Sequence, residues 1–170
     1  MGPLQYSTPL RASDLVGSAR HKMSIFYSML RMGGVRYEDV TDLSFADASL
    51  DLIVSNDVFE HIPVPRAAFA ECARVLRSGG TMIATIPFHS GAESSVVRAE
   101  LTGGGVRHLH PAAYHGNPVS SEGSLVFTDF GWDIIGSLAA VGFADSAVEV
   151  YGSAQYGHLG GGQLVFRAKK

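Results

Sequence analysis

The sequence predicts an α/β fold, doubly wound around a mostly parallel sheet and closed by a C-terminal antiparallel hairpin. Three observations carry this. Apolar strand-like runs alternate with a helix-periodic segment between Val35 and Phe88, the pattern of a parallel sheet covered by helices. The links between them are short and marked by Gly, Pro and Asp-Ala-Ser,. Near the C-terminus two cleanly alternating segments, 146–151 and 163–168, flank a glycine-rich stretch, as in a hairpin.

The elements follow in order. Asp14-Leu15-Val16-Gly17-Ser18 has the look of a short buried strand. Met23, Phe26, Tyr27 and Leu30 share a helical face over Lys22–Met32, and Gly33-Gly34 is a stop for it,. Val35–Glu38 alternates as a strand, and Asp47-Ala48-Ser49 reads as a turn. Leu50–Ser55 is a mostly apolar strand, expected to be buried on both faces,. Pro63 and Pro65 open a helix whose face is Phe69, Cys72, Ala73 and Leu76, and Ser78-Gly79-Gly80 is expected to end it,. Thr81–Phe88 is the next strand. Residues 91–123, rich in Gly, His, Pro and Ser, form a long inserted loop with one helical turn expected around Ser94–Leu101; excursions of this length are usually functional. Asp129 is expected to cap a helix running to Ala140, with Gly142 as its stop,.

Composition narrows the class. At 170 residues, 46% hydrophobic and 17% charged, the chain forms one globular domain, 1–170,. The net charge of −3 and the scattered Lys and Arg give no nucleic-acid face,. No apolar run is long enough to span a membrane. Met1–Arg20 lacks the basic start and apolar run of a signal peptide,. A single cysteine, Cys72, excludes an intrachain disulfide and fits a reducing, cytoplasmic setting; its place on a buried helical face makes it an inert core thiol,.

Four blocks stand in register. Asp39-Val40-Thr41-Asp42-Leu43-Ser44-Phe45 is followed by Leu50-Asp51-Leu52-Ile53-Val54-Ser55, then Asn56-Asp57-Val58-Phe59-Glu60-His61, then Arg74-Val75-Leu76-Arg77-Ser78-Gly79-Gly80 leading into Ile83–Pro87. In order and spacing this resembles the class I S-adenosylmethionine-dependent methyltransferases, with their D-x-x-x-L-P-F, F-D-x-V, D-V-x-E-H and R-V-L-x-P-G-G blocks. The resemblance implies a Rossmann-like sheet that binds S-adenosylmethionine in the crevice at its strand carboxyl ends. It implies that Asp39 accepts a hydrogen bond from the adenine amino group and that Val40 offers a backbone N–H and an apolar edge. Asn56, Asp57 and Val58 border the methionyl part. His61 and His89 are the candidate bases, needed only where the acceptor must lose a proton. The implied reaction is methyl transfer to a small-molecule acceptor, catalysed mainly by in-line placement and exclusion of water.

The sequence departs from that family in its first part. No strand running into a G-x-G-x-G-like turn precedes Val35, so residues 1–34 correspond to a divergent, N-terminally truncated part of the fold. Where the resemblance calls for an acidic ribose ligand, the Gly17-Ser18-Ala19 segment offers Ala19; losing one charge-assisted pair costs about 1.5–3 kcal/mol of affinity. A sheet without its first strand leaves an edge for a second chain to fill, which implies a homodimer completing the sheet. The alternative function is a catalytically inactive methyltransferase-like domain acting in protein binding or oligomerisation.

Other candidates are weaker. Asp39 also fits an ordinary turn aspartate, and His61 a packing residue. His108, His110, Tyr114 and His115 lie on the inserted loop and are read as facing substrate, or as part of an inert structured loop. Their imidazoles suit a transition metal, but no Cys and no carboxylate accompanies them before Glu122, and no metal is assigned. Gly157-His158-Leu159-Gly160-Gly161-Gly162 lacks the following helix and the Lys-Ser/Thr pair of a phosphate cradle and is read as a flexible hairpin turn,.

Overall fold

A computed structural model describes residues 38–117 and 120–170. The strand readings at 14–18 and 35–37, the helix reading at 22–32 and Ala19 lie outside the described residues. The elements in chain order are β1 (Leu50–Asn56), one turn of 3-10 helix (Phe59–His61), α1 (Pro65–Val75) and β2 (Leu76–Thr85). Next come β3 (Val96–Val97), β4 (Ala99–Thr102), β5 (Gly105–His108), β6 (Tyr114–Asn117), β7 (Ser120–Leu125) and β8 (Thr128–Asp129). The chain closes with α2 (Asp133–Ala140), β9 (Asp145–Ser153) and β10 (His158–Lys169).

The central sheet has the order β1-β2-β10-β9. β1 and β2 run parallel, with Ile53 opposite Met82 and Asn56 opposite Thr85. β10 is antiparallel to both β2 and β9, so the C-terminal hairpin closes the sheet as its alternation predicts. The parallel pair needs a crossover, and α1 supplies it. Pro65 sits in the first turn of α1, where a missing N–H costs nothing,.

The core lies between one face of the sheet and the two helices. Phe59, Phe69, Cys72 and Ala73 pack with Met82, Ala84, Phe166 and Ala168 from the sheet and with Ile134 and Leu138 from α2. The Phe59 and Phe69 rings stand 4.8 Å apart, centre to centre, and tilted, a favourable aromatic arrangement. Burial pushes the Cys72 thiol up to about 12, the inert state expected for it.

Several expectations are corrected. β1 is not buried on both faces. Ile53 packs on the core, but Leu52 is 41% and Val54 60% exposed. The two helices of the described residues pack with the core-side face alone, which leaves Leu52, Val54 and Ile83 with water. The helix stops at Val75, earlier than Ser78-Gly79-Gly80, because Leu76 is already extended and pairs with Leu50. The pairing then slips, so Thr81 meets Leu52, and Arg77–Gly80 form an irregular link within β2. β2 accordingly ends at Thr85 and not at Phe88.

The inserted stretch contains no helical turn at Ser94–Leu101. It forms two antiparallel hairpins, β4–β5 and β6–β7, and β3 pairs with β8. Gly103 and Gly104 make the tip of the first hairpin, which local apolar spacing alone does not reveal,. Asp129 caps no helix. It lies in β8 with Arg98 Nη1 2.6 Å from its Oδ2, and α2 begins at Asp133 instead. Gly131, between them, approaches the backbone so closely that a Cβ would lie 2.7 Å from Ala92 O and Ser94 O. Gly142 is the stop of α2 as expected, with a φ of 109°. The hairpin turn lies at Ala154–Gly157, and the glycines after His158 belong to β10. Among the described residues no helix is long and apolar enough to cross a membrane.

Candidate functional site

The carboxyl ends of β1 and β2 form one edge. Asn56 ends β1, Asp57 follows it, and Thr85 ends β2. The Thr85 hydroxyl bonds Asn56 Oδ1 and lies 3.0 Å from Asp57 Oδ1. The Asp57 N–H donates to Thr85 O at 3.0 Å. Asp57 takes a φ of 51°, a left-handed conformation that a non-glycine residue rarely adopts,. It turns the chain sharply away from the strand and sends Val58 into the core. Strain held at a strand end is common where a site is built.

The loop at 38–47 is locked onto α1. Asp39 Oδ1 accepts from the Thr41 N–H at 2.8 Å and from the Thr41 hydroxyl at 2.6 Å, closing a local turn,. The buried Glu38 carboxylate accepts from the Ser44 N–H and hydroxyl. Val40 packs against the core. Arg74 is the clasp. Its guanidinium donates to both oxygens of Glu71, to Leu43 O, Phe45 O and Asp47 Oδ1. Glu71 Oε2 also accepts from the Leu43 N–H at 2.8 Å. The Arg74 bonds hold the Glu71 carboxyl below its ordinary value,.

The third cluster is buried. Glu60 is fully buried, and among the described residues neither of its carboxylate oxygens has a hydrogen-bond partner. Burial, reinforced by the charge of Asp57, holds its carboxyl up at about 7; Glu60's own backbone N–H, outside hydrogen-bonding geometry, opposes this in part,. His61 is 6% exposed, and its Nδ1 lies 2.7 Å from Leu125 O. Its Nε2 lies 3.5 Å from Glu60 Oε1. His115, on β6, brings Nδ1 to 3.4 Å from the same oxygen. The two imidazoles meet edge to face, centres 5.1 Å apart.

The histidines thus part company. His115 joins His61, whereas His108 and His110 point to solvent elsewhere on the insertion. Tyr114 is 56% exposed. His89 is exposed just beyond β2, its N–H bonded to Phe130 O. Sequence reasoning missed Glu60 and Thr85. A glutamate set between Val58-Phe59 and Ile62, all buried here, carried a signal of burial; that His115 would reach it across the fold did not show.

The chain is similar to known methyltransferases in sequence and in fold. The methyltransferase domain family matches residues 14–84. Malonyl-[acyl-carrier protein] O-methyltransferase of Hahella chejuensis is 49% identical over 45 residues, 26% of this chain and 16% of that protein. A Mycolicibacterium smegmatis relative is 36% identical over 53 residues, 31% of this chain. The matched stretches span only 16% and 21% of those relatives' lengths. In fold, the S-adenosylmethionine-dependent methyltransferase of Mesorhizobium loti superposes with a TM-score of 0.53 at 14% identity, over 81% of this chain and 69% of that one. Residues 14–84 are thus similar to the methyltransferase domain family, and the fold is the Rossmann-like fold seen in S-adenosylmethionine-dependent methyltransferases.

The Glu71–Arg74 clasp yields a pH test. A depressed carboxyl contributes stability above its unfolded value, about 4.3, and loses it as pH falls through the folded value. Glu71→Gln is therefore less stable than wild type at pH 7, and the two converge below about pH 4. Urea midpoints at pH 7, 5 and 3 check this; an undiminished gap at pH 3 contradicts it.

Proposed function

We propose that this chain takes part in S-adenosylmethionine-dependent methyl transfer to a small-molecule acceptor. The observation that carries the reading is the edge formed by Asn56, Asp57 and Thr85 at the carboxyl ends of two parallel strands, where ligands bind in this architecture. The residues fit the two ends of the cofactor. Among the described residues Asp39 accepts from Thr41 through Oδ1 alone, and Oδ2 is placed to accept a bond from adenine. Val40 adds an apolar edge, and Asn56 and Asp57 border the methionyl end, backed by Val58 from the core. The bound cofactor supplies an electrophilic sulfonium methyl; the chain's part is to orient both reactants and exclude water.

Of the two candidate bases, His89 has a ring open to solvent beyond β2, and in this reading it takes a proton where the acceptor carries one,. His61 is enclosed, with Nδ1 held by Leu125 O, and acts through its buried contacts. The insertion bearing His108, His110, Tyr114 and His115 is the acceptor side. The setting we assign is cytoplasmic, in keeping with the buried, inert Cys72.

A second reading rests on β1. Among the described residues it pairs with β2 alone, and it exposes Leu52 and Val54. Unpaired, apolar edges invite pairing, which supports a homodimer completing the sheet, or a catalytically inactive domain that serves protein binding.

Calorimetric titration with S-adenosylmethionine separates the two. Binding is expected, and Asp39→Ala weakens it by about 1–3 kcal/mol, roughly 5- to 150-fold. An unchanged affinity removes Asp39 from the site, and no heat at millimolar ligand leaves the inactive reading standing for this chain alone. Sedimentation velocity tests the assembly: a dimer is expected at micromolar protein, and a clean monomer refutes it.

A further inference from the structure

We infer that Glu60, His61 and His115 form a binding site for a divalent transition-metal cation of the zinc class. The inference is independent of the methyl-transfer reading. It rests on three geometric facts.

The first is the orphaned carboxylate. Both oxygens of Glu60 are buried without a hydrogen-bond partner among the described residues. Burying a carboxylate in this way is costly unless a cation or donor compensates it.

The second is the tautomer of His61. Leu125 O can only accept, so the Nδ1 2.7 Å away is the donor,. In a neutral ring Nε2 then carries the lone pair, and that atom faces Glu60. A backbone carbonyl fixing one imidazole nitrogen while the other ligates is the usual second layer of a metal site.

The third is spacing. The two imidazole nitrogens stand 3.5 and 3.4 Å from Glu60 Oε1. That is too long for an N–H···O bond, which falls at about 2.7–3.2 Å. A shared proton would draw the groups closer. Ligands about 2.0–2.2 Å from a tetrahedral zinc lie about 3.3–3.6 Å apart, which matches both distances. The whole set lies within 4.8 Å. Two imidazoles and a carboxylate favour zinc, cobalt or nickel over calcium or magnesium. Three protein ligands leave a fourth position for water or a substrate atom.

The placement gives the cation a role. Glu60 and His61 follow β1 directly, at the edge where Asn56 and Asp57 stand, and His115 comes from the β6–β7 hairpin. A cation there ties the insertion to the sheet edge. The pairing was invisible in the sequence, where His115 sits beside His108 and His110 and far from any carboxylate that reaches it.

The test uses the full chain stripped with chelator and titrated with Zn²⁺ by calorimetry and Co²⁺ by visible absorption. One equivalent is expected to bind, with Co²⁺ giving tetrahedral bands. Glu60→Gln, His61→Ala and His115→Ala should each weaken binding at least tenfold, while the double variant His108→Ala, His110→Ala should bind as wild type. His115 is half-exposed, so its variant decides should a core substitution fail to fold. No binding at one equivalent to the folded wild-type chain, or undiminished binding by His115→Ala, overturns the site.

Discussion

The parallel pairing of β1 with β2 is the constraint on which the rest depends. Parallel neighbours cannot be joined by a tight turn. The chain must leave the end of β1, cross through α1 and re-enter beside its own start. Asp57 makes the exit with a left-handed backbone, and Thr85, one strand over, bonds back to it. Both carboxyl ends therefore face one side. The polar groups of the site gather there because the connectivity leaves them nowhere else to go.

α1 then organises what surrounds this edge. Its apolar face, Phe69, Cys72 and Ala73, fills the core beneath the sheet. Its polar face, Glu71 and Arg74, holds the loop that carries Asp39 and Val40. One helix thus positions the loop and the strand together. The insertion is held differently. Arg98 bridges Asp129 and Pro111 O, and Leu125 and Phe127 bond to His61 and Glu60. Each link joins the hairpins to the 3-10 turn or to the approach to α2, so the insertion is anchored at its root and exposed at its tips.

Much of this was legible in the residues. The apolar runs at 50–55 and 81–85, the helical face around Phe69 and the alternation of the C-terminal hairpin all locate real elements. These are local signals, and periodicity reads them well. Burial of β1 on both faces did not hold, because a strand's composition cannot show whether helices cover its second face. The hairpins of the insertion were missed because Gly-rich, weakly apolar strands carry little alternation. Asn56, Asp57 and Asp39 were legible only through the four blocks in register. Glu60 and His115 were not legible as a pair, since fifty-odd residues, including α1, β2 and the β4–β5 hairpin, separate them. Only the fold brings them to one oxygen.

We propose that the carboxyl ends of β1 and β2, with the loop clasped by Arg74, form a cofactor-binding edge. Backbone amide resonances of the isotope-labelled chain, followed on addition of S-adenosylhomocysteine, test it most directly. Shifts concentrated at Asp39–Thr41, Asn56–Val58 and Thr85 are the predicted result. Saturating shifts confined to other residues, or none at millimolar ligand, would contradict it.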